Sequence, residues 1–145
     1  MRTEKLLTVL FLCTGNSCRS QMAEGWARHL KGDQIRAYSA GIASHGLNQI
    51  AVKVMREAGV DISEQMSKTT KTLRNVHFDY VVTVCDNARD RCPIFPGDAK
   101  VIHKRFDDPP RLAENAGSDE DAEDHYRRVR DEIRAFVETL PDSLE

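Results

Sequence analysis

The chain has 145 residues, 40% of them hydrophobic and 30% charged, which fits a single compact domain over residues 1–145. Its 21 basic and 23 acidic residues give a formal net charge of -2, so no overall field attracts nucleic acid or an anionic membrane. Any anionic ligand must therefore be held by a local site.

The N-terminal part of the chain predicts a strand followed by a helix. Residues 6–13 are almost continuously apolar, which is typical of a parallel strand covered on both faces. The run is short and Glu4 precedes it, so we interpret it as a strand and not as an export signal. Met22, Trp26 and Leu30 then recur every four residues, which predicts a helix ending near Gly32.

The rest of the chain continues this alternation. The predicted elements are a strand at 35–39, a helix at about 48–58, strands at 78–85 and 100–103, and a last helix after residue 118. Ser118 is the expected N-cap of the last helix, with acidic residues at 119–121, and residues 107–119 are expected to form an irregular loop. Four strands alternating with helices predict a doubly wound α/β domain.

The loop between the first strand and the first helix carries the strongest chemical signal. It reads Cys13-Thr14-Gly15-Asn16-Ser17-Cys18-Arg19-Ser20. A turn at a helix start can aim successive backbone N–H groups at one point, and such a nest binds tetrahedral anions. Gly15 and Asn16 tolerate the unusual torsions of such a turn. The predicted oxyanion-binding residues are Thr14, Gly15, Asn16, Ser17, Cys18 and Arg19.

Three side chains of this loop suit nucleophilic catalysis. The helix start, Arg19 and the Ser20 hydroxyl favour the thiolate of Cys13, which is the reactive form of a cysteine. The planar guanidinium of Arg19 can bind two oxygens of one anion. Cys18 falls in the first helical turn, where we expect a small buried residue without a chemical role. The alternative is a structural cysteine followed by a chance arginine, which leaves the coincidence of strand, turn and helix unexplained.

These features resemble the low-molecular-weight phosphotyrosine phosphatase family, whose loop is Cys-x5-Arg followed by Ser or Thr. Further similarity lies in Ser39-Ala40-Gly41, His45-Gly46, Asp61-Ile62-Ser63 and Asp108-Pro109. The segment CTGNSCRSQMAEGW and the Cys85-x6-Cys92-Pro93 pair are similar, more narrowly, to the thioredoxin-coupled arsenate reductases. The resemblance covers nearly the whole chain and implies a four-stranded parallel sheet of order 2-1-3-4 flanked by helices.

The resemblance also implies a mechanism. Asp108 would be the general acid, with Asp107 as the alternative. Arsenate would form a thio-arsenate adduct on Cys13, a Cys13–Cys85 disulfide would follow, and Cys92 would convert it to a Cys85–Cys92 disulfide. Thioredoxin would reduce that disulfide from outside, without a bound cofactor, and phosphate or sulfate would compete with arsenate.

The spacing of the last two cysteines predicts a moving segment. An intact helix would hold the Cα atoms of Cys85 and Cys92 about 10.5 Å apart, too far for a disulfide. We therefore expect residues 86–91 to be ordered in the reduced protein and to loop out when the disulfide forms.

One position departs from the resemblance. Some reductases of this kind bind potassium through residues matching Asn16, Glu24, Ser39 and an aspartate. Here the fourth position is Lys68. We predict that the protein has no potassium requirement.

Cysteine usage indicates the setting. A chain with four cysteines and no export signal is expected in the reducing cytoplasm, where disulfides tend to be transient and catalytic. The cysteine spacings are not those of zinc sites and the five histidines are scattered, so we predict no metal. We expect a cytoplasmic monomer that binds neither nucleic acid nor membrane.

Two other functions remain open at this point. A protein-tyrosine phosphatase would use the same Cys13, Arg19 and Asp108, but the segment after Asp108 has no aromatic residue before Tyr126 to flank a phenyl ring. A non-catalytic oxyanion or thiol sensor would need neither a general acid nor an ordered set of three cysteines.

Overall fold

Four parallel strands form one sheet in a computed structural model that describes residues 6–84 and 98–144. The strands are β1 (Leu7–Cys13), β2 (Ile35–Gly41), β3 (Tyr80–Thr83) and β4 (Lys100–His103). Their order is β2-β1-β3-β4, and each neighbouring pair is parallel. The predicted order 2-1-3-4 is therefore confirmed.

Helices flank this sheet. They are α1 (Arg19–Lys31), α2 (Gln49–Glu57), α3 (Pro109–Ala113) and α4 (Asp119–Glu138), with short 3-10 helices at Thr70–Leu73 and Asp142–Leu144. Asn48 caps α2, since its side-chain oxygen accepts from two backbone N–H groups of the first turn. Ser118 caps α4 in the same way through the N–H of Asp121, as its sequence predicts.

Helix α3 is a correction to the sequence-based expectation of an irregular loop. Pro109 and Pro110 occupy its first positions, where their fixed φ suits a helix and a missing N–H removes no hydrogen bond. Two prolines in a row suggested a loop because the five-residue helix leaves no periodic pattern to detect.

Strand β1 lies between two hydrophobic cores. Val9 and Phe11 face a large core shared by α1, α2 and α4, while Leu10 and Leu12 face a smaller one that includes Leu73 and Phe78. These four side chains of β1 have no exposed surface. Burial on both faces explains why the strand reads as a continuous apolar run.

The pairing of β1 with β3 brings two distant parts of the chain to one edge. Leu12 pairs with Thr83, and the N–H of Val84 donates to the Leu12 carbonyl at 2.9 Å. The chain therefore leaves β3 beside Cys13. The observed β3 is shorter than the predicted strand at 78–85. Cys85, Cys92 and the predicted moving segment 86–91 lie outside the described residues.

Over the two described stretches, no helix has the length and apolar character needed to cross a membrane.

Candidate active site

The oxyanion loop, residues 13–20, joins the end of β1 to the start of α1. Cys13 is the last residue of β1 and is only 3% exposed. Helix α1 begins at Arg19, so the first amides of the helix, which have no intrahelical acceptor, lie at the loop. The predicted strand–loop–helix arrangement is present, and Thr14 and Ser17 are its half-buried members.

The backbone torsions of the loop differ from expectation at one residue. Asn16 has φ 48, the left-handed conformation that asparagine tolerates, whereas the described glycines with positive φ are Gly46 and Gly59. Gly15 is favoured for another reason. A Cβ placed on it would clash with the ring of His45, an exposed side chain that would have to move to make room.

A neighbouring segment, residues 43–48, supports the loop from outside. The N–H groups of Ala43 and His45 each donate at 3.0 Å, to the carbonyls of Thr14 and Gly15 respectively. The N–H of Asn48 donates to the Ser17 carbonyl at 2.9 Å. Three loop carbonyls are therefore satisfied on the outer side, which leaves the inner side for donors. Sequence analysis missed this role because backbone contacts leave no residue signature.

Around Cys13, the hydrogen bonds have a defined direction. The backbone N–H of Lys68 donates to Oδ1 of Asn16 at 2.8 Å, so the amide group of Asn16 must point the other way. Its Nδ2 donates to Oγ of Ser20 at 2.9 Å. Oγ lies 2.9 Å from Sγ of Cys13. Because Ser20 accepts from Asn16, its own proton is available to a Cys13 thiolate.

Arg19 connects the loop to two other segments. Its Nη1 donates to the carbonyls of Phe106, at 3.1 Å, and Val84, at 3.4 Å. Its Nη2 lies 3.6 Å from a carboxylate oxygen of Asp108, and the side chain is 9% exposed. The guanidinium is thus held at Nη1 by backbone carbonyls, while Nη2 is directed toward Asp108.

The structure separates the two candidate acids. Asp108 is half-buried and faces Arg19 across the loop. Asp107 is exposed and pairs with Arg128 of α4, 3.2 Å away. Of the two carboxylates, only Asp108 is placed beside the oxyanion loop.

Cys18, the other described cysteine, is buried and directly precedes α1. Burial raises the pKa of its thiol, with Asp108 and Cys13 acting in the same direction and Arg19 opposing. A neutral buried thiol is a poor nucleophile. This agrees with the expectation that Cys18 has no chemical role of its own.

The four positions that the resemblance associates with potassium are close together. Ser39 donates to Oε1 of Glu24 at 2.5 Å, and Nζ of Lys68 lies 3.9 Å from the same oxygen. Glu24 also pairs with Arg28 at 2.9 Å. Burial lowers the pKa of Lys68, and Glu24 opposes that shift. An ammonium group thus lies beside the buried carboxylate. Among residues 6–84 and 98–144, no group of three or more His, Cys, Asp or Glu side chains could hold a metal.

Comparison with known proteins places this geometry in a family. The profile of the low molecular weight phosphotyrosine protein phosphatases matches residues 8–145. Arsenate reductase of Bacillus licheniformis is 52% identical over 136 residues, covering 91% of this chain and 96% of the relative.

Solved structures agree with that match. The arsenate reductase of Archaeoglobus fulgidus superposes with a TM-score of 0.73 at 30% identity, covering 91% of this chain and 97% of the other. An arsenate reductase in the phosphate binding state superposes with a TM-score of 0.77 at 28% identity, covering 97% and 100%. The chain belongs to the low molecular weight phosphotyrosine protein phosphatase family. Within it, the sequence groups with the arsenate reductases.

Proposed function

We propose that this protein reduces arsenate to arsenite by a relay of three cysteines, Cys13, Cys85 and Cys92. The observation that carries the proposal is the pairing of β1 with β3. Strand β1 ends at Cys13, and the neighbouring strand β3 is followed by Val84, the residue before Cys85. Relatives at about half identity are arsenate reductases, and one solved relative has phosphate, an oxyanion of the same shape, in its name.

In the first step, arsenate binds in the oxyanion loop and the Cys13 thiolate attacks arsenic. Asp108 protonates the departing oxygen, which leaves as water, while the loop amides and Arg19 hold the remaining negative charge. The product is a thio-arsenate adduct in which arsenic is still pentavalent. Ser20, 2.9 Å from Cys13 Sγ, stabilises the thiolate before attack.

In the second step, the Cys85 thiolate attacks Sγ of Cys13. An S–S bond forms, the S–As bond breaks, and its electron pair passes to arsenic, which leaves as trivalent arsenite. The Cys92 thiolate then attacks Cys85, which frees Cys13 and leaves a Cys85–Cys92 disulfide. A dithiol reductant, for which we propose thioredoxin, returns that disulfide to two thiols.

This cycle fits a reducing compartment. The cytoplasm keeps thiols reduced, so both the relay and its reductant would be available there. Phosphate and sulfate would bind the same loop as competitors, because their tetrahedral shape and charge match those of arsenate. We propose that the protein acts as a monomer.

Phosphatase activity is the second candidate, since the matching family profile is named for it and the first step would be shared. Tyr126, the first aromatic residue after Asp108, is 2% exposed, and its hydroxyl accepts from Nδ2 of Asn48. It is packed inside the domain and so does not flank a phenyl ring at the surface. We expect p-nitrophenyl phosphate to be a far poorer substrate than arsenate.

The test is arsenate-dependent NADPH consumption with thioredoxin and thioredoxin reductase, comparing cysteine variants. Cys13→Ser should abolish arsenite production, a loss of at least about 10⁴-fold, because the nucleophile is gone. Cys92→Ser should complete one turnover and stop with a Cys13–Cys85 disulfide, identified by mass mapping of unreduced peptides. Cys18→Ala removes a thiol that the relay does not use and keeps the loop amide at that position, so this variant should still form arsenite over repeated turnovers.

Two results would contradict the relay. Repeated turnover of Cys92→Ser with thioredoxin alone would show that Cys92 does not resolve the first disulfide. Equal rates on arsenate and on p-nitrophenyl phosphate, with no arsenite formed, would favour the phosphatase.

A further inference from the structure

Two glutamine side chains lie behind the oxyanion loop, and the mechanism above does not use them. Gln21 follows Ser20 in α1 and has no exposed surface. Gln65 lies in the segment after α2 and is half-buried. Uncharged carboxamides in such places need hydrogen-bond partners, and both have several.

The orientation of Gln21 is fixed by its neighbours. Its Nε2 donates to the backbone carbonyls of Asn16, at 3.1 Å, and Met66, at 3.0 Å, and to Oδ1 of Asn16 at 3.0 Å. Carbonyl oxygens can only accept, so the amino group must face them. Since three acceptors share two N–H bonds, at least one bond is bifurcated.

Gln65 is fixed in the same way and completes the arrangement. Its Nε2 donates to the backbone carbonyl of Gln21 at 3.0 Å and to Oε1 of Gln21 at 2.8 Å. The first acceptor sets the orientation of the Gln65 amide, and the second holds the Gln21 amide from its far side. The hydrogen bonds therefore run in one direction, from Gln65 to Gln21 to Asn16.

Asn16 is where this chain of bonds meets the chemistry. Asn16 has a positive φ, and Gln21 donates both to its backbone carbonyl and to its side-chain oxygen. These two bonds hold the residue in that conformation. Its Nδ2 in turn orients the Ser20 hydroxyl beside Cys13. A displacement of Gln21 would therefore alter both the shape of the oxyanion loop and the hydrogen bond between Ser20 and the sulfur of Cys13.

We propose that Gln21 and Gln65 are positioning residues for the oxyanion loop, with Gln65 acting through Gln21. Neither touches the substrate. They fix the left-handed turn at Asn16, and so determine how well the loop binds a tetrahedral anion and how the Ser20 hydroxyl is held beside the sulfur of Cys13. The proposal rests on the proposed function only in taking residues 13–20 as the anion site.

The experiment uses the full-length reduced protein and the variants Gln21→Ala, Gln65→Ala, the double variant, and Gln49→Ala. Gln49 is an exposed glutamine of α2 whose side chain reaches only the Leu47 carbonyl among its described contacts, which makes it the matched control. Four quantities are measured: the dissociation constant for inorganic phosphate, the KM for arsenate, the kcat for arsenate, and the pH profile of Cys13 alkylation by iodoacetamide. Peptide mass spectrometry assigns the alkylation to Cys13.

Gln21→Ala should weaken phosphate binding and raise the KM about tenfold, with kcat changed less than threefold, because several buried hydrogen bonds are lost. Its Cys13 alkylation profile should move to higher pH. Gln65→Ala should weaken phosphate binding and raise the KM about threefold, and its alkylation profile should move in the same direction. The double variant should match Gln21→Ala alone, since a residue that acts through another adds nothing once that other is removed.

A purely structural role predicts a different outcome. The variants would then melt at a lower temperature, but their folded forms would have the same phosphate affinity and the same alkylation profile as Gln49→Ala. That result would show the proposal to be wrong. Multiplying effects in the double variant would refute the ordered action of Gln65 through Gln21. If Gln21→Ala does not fold, Gln65→Ala still decides, because its side chain is partly at the surface. Phosphate binding and alkylation need no arsenate reduction, so they separate this proposal from the relay.

Discussion

The oxyanion loop and the surface between α2 and α4 contain hydrogen bonds of similar length in opposite surroundings. Around Cys13, distances of 2.8–3.0 Å link Lys68, Asn16, Ser20 and Gln21, and Asn16 and Ser20 have no exposed surface. On the surface, Arg127 binds Glu57 at 2.9 Å, Asp124 at 2.7 Å and Glu123 at 3.0 Å. We call this second group the surface cluster.

The oxyanion loop and the surface cluster differ in whether water can bind a polar group that has lost its hydrogen-bond partner. A charged side chain of the surface cluster that loses its partner finds water, so its ion pairs contribute little to stability. A buried polar group in the loop finds nothing, and the full desolvation penalty remains. Substitutions in the oxyanion loop, where the hydrogen bonds join uncharged groups, should therefore have larger effects than substitutions in the surface cluster, although the surface cluster carries more charge.

The largest effect outside the cysteines is expected at Asp108. Asp108→Asn removes the proposed proton donor while keeping the size of the side chain, so kcat for arsenate should fall about 10²–10³-fold. Asp107→Asn is the matched control, because Asp107 pairs outward with Arg128, and its rate should stay within about twofold. Steady-state arsenite production measures both. Equal losses in the two variants would show that Asp108 has no special role.

The next effect is expected at Asn16. Asn16→Ala loses the side-chain bonds to Ser20, Gln21 and the Lys68 N–H, and alanine tolerates the left-handed conformation at φ 48 less well than asparagine. We expect about 2–4 kcal/mol of lost stability and a loss of about 10–100-fold in kcat/KM, measured by urea denaturation and steady-state kinetics. Asn16→Gly relieves the backbone strain but does not restore the lost hydrogen bonds. If Asn16→Gly kept the stability and kcat/KM of the unsubstituted protein, the hydrogen bonds would be unimportant.

A smaller effect is expected in the surface cluster. The hydrogen bond from Arg127 holds the pKa of Glu57 below its usual range, with the nearby cationic side chains assisting and desolvation opposing. The folded state therefore binds fewer protons than the unfolded state near the usual glutamate pKa of about 4.3. The stabilisation is present above that pH and is lost as the pH falls through the lower folded-state pKa.

Glu57→Gln should accordingly lower the melting temperature slightly at neutral pH and flatten its decline below about pH 4.3. Glu64→Gln, at an exposed glutamate outside the surface cluster, is the control, and calorimetry from pH 3 to pH 7 is the measurement. A drop in melting temperature as large as that of Asn16→Ala would overturn the contrast between the two regions.

The smallest effect is expected from potassium. Exchanging potassium for sodium at constant ionic strength should change kcat/KM for arsenate less than twofold, because the Lys68 ammonium lies 3.9 Å from the buried Glu24 carboxylate. Choline as a third cation controls for ionic strength. A severalfold increase confined to potassium would show that the ammonium does not replace a bound ion.

Local patterns predicted much of this protein from its sequence. The apolar run of β1, the cap at Ser118, and the Cys13-to-Ser20 loop each depend on residues close together in the chain. Propensity and periodicity act over the same range, so these elements could be located without coordinates. Helix α3 was missed because five residues are too few for a period.

Only the tertiary structure decided how the loop is held. The backbone N–H groups of residues 43–48, the ring of His45 against Gly15, and the link from Gln65 through Gln21 to Asn16 join segments far apart in the chain. The assignment of Asp108, and not Asp107, to the Arg19 side has the same origin. Sequence specifies which groups must be bonded, but the choice of partner depends on which segments the packed sheet and helices bring within about 3 Å of one another.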